Sequence, residues 1–125
     1  MGTFINHKKS YLNFKKDAEK EENSKESRAE LYFLSLFHLI EACASIFDIH
    51  INKHQILRSI LEKNSKIFRD KTKEIWTSFQ MIETRLRPKF SYGFSWIDED
   101  FDELKDLYSK IESICLKVIK NESEQ

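Results

Sequence analysis

AELYFLSLFHLIEACASIFD, residues 29–48, is the stretch on which the fold turns. Leu31, Phe33, Leu34, Leu36, Phe37, Leu39, Ile40, Cys43, Ile46 and Phe47 leave little of a helix's circumference polar. A helix apolar on most sides must be covered on several sides, so 25–48 is expected to be the central helix of a packed domain. Its polar residues are not scattered. Ser35, His38, Glu41, Ser45 and Asp48 recur in steps of three and four and therefore share one face. Such a line is either the solvent edge of a core helix or the lining of a cleft, because an unpaired buried polar group costs about 1–3 kcal/mol.

Outward from this helix, the same three-four spacing repeats. Residues 4–21 form a helix with Phe4, Tyr11, Phe14 and Ala18 on one face. In the link that follows, Asn23 or Ser24 can cap the central helix, and Asn23 with Glu26 has capping-box spacing. A third helix is expected near 54–64, with Ile56, Leu57, Ile60 and Leu61 apolar, and Asn64 and Ser65 interrupt it. A fourth runs near 66–86 on Ile75, Trp76, Phe79, Ile82 and Leu86. Pro88 should then stop it, since the residue before a proline disfavours helix, and Gly93 can turn the chain with a positive φ. Ser95 and Asp98 offer a cap for the last helix, 97–120, where an acidic run suits the helix dipole. Phe101, Leu104, Tyr108, Ile111, Cys115 and Val118 form its apolar seam. With two glycines and one proline in 125 residues, a β-rich chain could not make its turns. The reading is all-α: an antiparallel bundle of four to five helices, one domain over 1–125, with an amphipathic N-terminal helix (1–22) and a core (25–120).

Twenty-one basic residues balance twenty-one acidic ones, so no global charge points to DNA or an anionic membrane. Locally, 53–89 is basic and the stretch after it, with Asp98, Glu99, Asp100, Asp102, Glu103 and Asp106, is acidic. Complementary helix surfaces would account for both. Cys43 and Cys115 sit in apolar patterns without a C-x-x-C, which suits buried thiols in a reducing compartment. The first sixteen residues lack the apolar core of a signal peptide, and 31–47 is broken by Ser35, His38, Glu41 and Ser45. A cytoplasmic protein without membrane contact, metal or cofactor is expected.

His38 and Glu41 could act as a base and the carboxylate that orients it. His50 and His54 have a zinc-compatible spacing but straddle a loop-to-helix boundary without an evident third ligand, so capping and surface packing account for them better. No glycine-rich phosphate loop and no nucleophile elbow occur. Around the turn, Arg85, Arg87, Lys89, Tyr92 and Trp96 combine phosphate-binding forks with stacking rings, which suits RNA or a nucleotide.

AELYFLSLFHLIEA in the central helix, KHQIL after a short loop, and an arginine followed by SYG before an acidic-started last helix resemble HEPN-domain proteins. The resemblance covers roughly residues 25–120. It implies a small prokaryotic helical bundle, commonly dimeric, of a family with many ribonucleases and many partners of nucleotidyltransferases in toxin–antitoxin pairs. It would set Lys53 and His54 at the head of the third element, and Arg85, Tyr92 and Gly93 in the turn before the last helix. Catalytic members carry an arginine followed four to six residues later by a histidine. Here only Arg28 precedes a histidine, and His38 lies ten positions on. The resemblance therefore implies a non-catalytic, homodimeric binding module for a protein, nucleotide or RNA partner. The alternative is a divergent ribonuclease using His38 and Glu41, with an arginine supplied across the dimer.

Overall fold

The computed structural model describes residues 2–93 and 95–123, and its central element is α2, Lys25–Ile46. Phe33, Leu36, Leu39, Ile40 and Cys43 are fully buried there, as an all-round apolar helix requires. Ser24 is its cap, its Oγ accepting the Ser27 N–H at 3.1 Å. Asn23 instead closes the preceding helix, its amide donating to the Asp17 carbonyl at 3.0 Å. At the far end Asp48 takes the left-handed position (φ 59°) that glycine usually fills. The Ile49 N–H then reaches the Ala44 carbonyl at 3.1 Å and the Asp48 N–H reaches Ser45 at 3.0 Å. Asp48 thus belongs to a helix cap and not to the polar line. By length and composition α2 could cross a membrane, but the neighbouring helices account for its apolarity by burying most of it.

Helix α1, Gly2–Ala18, lies antiparallel along α2. Their contacts run in opposite order: the Ala18 carbonyl with Arg28, Tyr11 with Ser35, His7 with His38. A 3₁₀ turn, His54–Ile56, leads into α3, Leu57–Lys63, and the Asn64 amide closes α3 on the Ile60 carbonyl at 2.8 Å. A second 3₁₀ turn, Arg69–Lys71, enters α4, Thr72–Gln80.

The expected stop before Pro88 does not occur. A π segment, Met81–Leu86, carries α4 directly into α5, Arg87–Ser91. In an unbroken α-helix a proline lacks one hydrogen bond and its ring strikes the carbonyl four residues back. The π segment changes the register ahead of it: the Arg87 N–H bonds Ile82, five residues back. Pro88 thereby falls in the first turn of α5, where its absent N–H is not missed.

The chain turns at Gly93 (φ +73°) and enters α6, Asp98–Ser123. The cap here comes from Asp100 rather than Ser95. Asp100 Oδ2 accepts the Ile97 N–H at 3.0 Å while Oδ1 accepts from Lys89 Nζ at 3.0 Å. The Ile97 N–H first, and Lys89 next, hold this carboxyl below the ordinary 3.8.

Counting α4, the π segment and α5 as one rod, five helices pack as a bundle, with no strand among the described residues. The α4–α5 rod runs antiparallel to α2. Helix α6 runs parallel to it, Phe101 lying against Arg28, Tyr108 against Ser35 and Cys115 against Cys43. The two cysteines are free core residues, and burial pushes the Cys115 thiol well above its usual range.

Candidate functional site

The corner formed by 85–96 is stitched with charge. Arg85 pairs with Glu103 of α6, and Lys89 with Asp100. Arg87 forks onto Glu30 of α2 at 2.8 and 2.9 Å, and its guanidinium lies 4.2 Å from the Phe33 ring centroid. The Trp96 indole donates to Glu26 at 3.2 Å and rests on Phe90. Tyr92 is 73% exposed. Arg85 and Arg87, two residues apart and so on nearly opposite sides of the rod, reach different helices. At the head of the third element, His54 pairs with Glu83 and presents its ring edge-on to Phe33 and Phe37, while Lys53 is exposed. His50 stands exposed near Asp48, 3.8 Å away. The corner cations are thus engaged by carboxylates, and His54 meets the corner at Phe33, the ring that Arg87 also covers.

The polar line of α2 is neither a solvent edge nor the wall of an open cleft. It is the seam against α1. Ser35 Oγ is buried, donating to the Tyr11 carbonyl at 3.0 Å and lying 2.9 Å from the Tyr108 hydroxyl. One turn on, the Nδ1 atoms of His38 and His7 are 3.0 Å apart, and His7 Nε2 is 3.3 Å from Glu41 Oε2. The other carboxylate oxygen accepts the Asn52 N–H at 2.7 Å, which fixes a residue in the left-handed region (φ 67°). Neutral rings satisfy all of this in one arrangement. His38 donates to His7, and His7 donates to Glu41. Phe14 stacks on His38 at 5.6 Å between centroids. His7 completes the face of α1 read as Phe4, Tyr11, Phe14 and Ala18, filling the gap in the three-four steps between 4 and 11. That gap was the signal for it.

This seam sets a pH dependence. Burial, then the neighbouring His7, hold the His38 imidazole below its ordinary 6.5. As pH falls through 6.5, the unfolded chain takes up this proton before the folded chain does. Stability therefore rises with pH in that window and is lost on acidification. The urea midpoint should fall as the pH is lowered below 6.5, and His38→Gln should flatten the slope. A midpoint that rises on acidification, or an unchanged slope in the variant, contradicts this.

A groove of about 850 Å³ lies where the end of α2, residues 67–71 and the last turns of α6 meet. Phe47, Ile67, Phe68, Ile114 and Val118 give it an apolar floor. Arg69, Lys71 and Lys117 stand on its rim beside Ser113, Asn121, Asp70 and Glu122. Lys71 has Glu74 within 3.9 Å, whereas neither Arg69 nor Lys117 has an ion-pair partner among the described residues. Arg69 also holds a left-handed backbone (φ 55°), uncommon for a residue other than glycine, asparagine or aspartate. Apart from the basic bias of 53–89, nothing in the sequence marks this site, because its walls come from three segments that are distant in the chain, at Phe47, 67–71 and 113–122.

Comparison with known proteins finds no matching family, no matching curated protein and no matching solved structure.

Proposed function

We propose that this chain is a non-catalytic binding module whose groove takes a nucleotide, as a HEPN-like partner of a nucleotidyltransferase-type protein would. One observation carries the reading. The groove has the volume of a small-ligand site, about 300–1,000 Å³, and joins an apolar floor to two rim cations that have no carboxylate partner among the described residues. The floor suits a base and the rim suits a phosphate. The corner at 85–96 is the weaker surface for such a ligand, because Arg85, Arg87 and Lys89 already hold carboxylates. His38 and Glu41 do not line the groove, so the acid–base reading gains no support from it. A homodimer belongs to the same proposal. Ile5 and Leu12, exposed and seven residues apart on α1, supply apolar surface for a second copy.

Calorimetric titration with adenosine monophosphate at two salt concentrations tests the groove. Binding should weaken with salt, and Arg69→Glu with Lys117→Glu should weaken it at least about tenfold, or roughly 1.4 kcal/mol. Arg85→Glu should leave it unaltered. No binding at millimolar nucleotide, loss on Arg85→Glu alone, or inorganic phosphate binding as tightly as the nucleotide would each overturn the reading.

A further inference from the structure

We infer that His7, His38 and Glu41 form a binding site for a zinc-type divalent transition metal ion, seated in the seam between α1 and α2. Each residue offers a donor atom, and the three donors lie within 4.8 Å of one another. His38 and Glu41 are one turn apart on α2, and His7 is brought opposite them by the antiparallel packing of α1. The two imidazole nitrogens, 3.0 Å apart, already stand at the spacing of neighbouring ligands. On a tetrahedral ion with bonds of about 2.0–2.1 Å, ligands sit about 3.3 Å from each other. To close the third edge, Glu41 Oε2 leaves the other His7 nitrogen, Nε2, now 3.3 Å away, and swings toward the two Nδ1 atoms.

Two further observations favour an ion over a hydrogen-bonded seam alone. Glu41 is 6% exposed, yet no lysine or arginine among the described residues pairs with it; its one ion-pair partner is His7. A buried carboxylate needs a compensating charge, and a divalent ion between two neutral imidazoles supplies it. The Glu41 donor is also backed by a hydrogen bond, as metal ligands usually are. The Asn52 N–H pins one oxygen of Glu41 and leaves the other to turn toward the histidines, while Phe14 stacks on the His38 ring. Two nitrogens and one carboxylate suit zinc, cobalt, nickel or copper rather than magnesium or calcium, which prefer all-oxygen shells. Three protein ligands leave one position open to water. His7, 20% exposed, marks the edge through which an ion enters.

The full chain, stripped with a chelator, is titrated with Co²⁺ and then Zn²⁺. Co²⁺ should develop the intense visible ligand-field bands of a tetrahedral site, and Zn²⁺ should bleach them and raise the melting temperature. His7→Gln sits at the partly exposed edge, and Glu41→Gln keeps an acceptor for the Asn52 N–H, so both should fold. Each should weaken metal binding at least about hundredfold, somewhat beyond the roughly 10–100-fold cost of losing an outer-shell partner. Absence of the bands and of any zinc-induced rise in the parent chain overturns the site. So does undiminished affinity in a folded His7→Gln, which would place the ion elsewhere, on His50 and His54 for example.

Discussion

Phe33→Ala is expected to cost about 3–5 kcal/mol, the range for truncating a fully buried aromatic. Phe33 is 1% exposed at the junction of three elements. Its ring lies 5.1 Å from that of Phe79 in α4 and 5.2 Å from the His54 ring. Arg87 lies over it while forking onto Glu30. Alanine would therefore leave a cavity and also strip the support from an ion pair and a buried-side histidine. Such a loss is a large part of the roughly 5–15 kcal/mol that holds an ordinary domain together. Leu116→Ala, at a site 41% exposed, should stay within about 0.5 kcal/mol by comparison. Urea unfolding followed by circular dichroism measures both. A loss below about 1 kcal/mol for Phe33→Ala, against the expected range, would mean that α2 and α4 do not meet as described.

The fold was legible because apolar spacing is a local property, and α2 shows how far that carries. An all-round apolar helix could only be central, and the stripes on α1, α4 and α6 could only face it. Features that depend on hydrogen-bond register or on distant partners were not legible. Pro88 reads as a stop when judged beside Arg87 alone; no residue type announces the π segment that accommodates it. Gly93 advertises its positive φ, but Asp48, Asn52 and Arg69 reach the same region without glycine. Asp48 and Asn52 are of the types that tolerate it, and Arg69 carries no such signal. Charge bias showed that 53–89 and the acidic run complement each other. It could not show that Arg87 would choose Glu30, fifty-seven residues away. His7 was recoverable from pattern too, as the missing step on the face of α1. His38 and Glu41 were readable as neighbours, but the seam that encloses them exists only once α1 has docked.

The same seam makes the second large prediction an asymmetric one. Ser35 has a single hydroxyl proton, which it gives to the Tyr11 carbonyl at 3.0 Å. The contact with Tyr108 at 2.9 Å must then be donated by the tyrosine. Burial pushes the Tyr108 phenol well above its ordinary value, so that donor keeps its proton throughout the working pH range. Ser35→Ala removes the one acceptor that this hydroxyl has among the described residues, orphaning a group on a residue 3% exposed, a cost of about 1–3 kcal/mol. Tyr108→Phe removes the donor instead. Ser35 keeps its bond to Tyr11, so the cost should be smaller, about 0.5–1.5 kcal/mol. The double variant has no orphaned donor left and should be no less stable than Ser35→Ala alone. Its cost should fall short of the sum of the single changes by about 1 kcal/mol, within the usual range for contacting pairs. Equal single costs would reverse the donor assignment, and strict additivity would mean that the two hydroxyls do not meet. Three urea curves beside that of the parent chain decide among these outcomes.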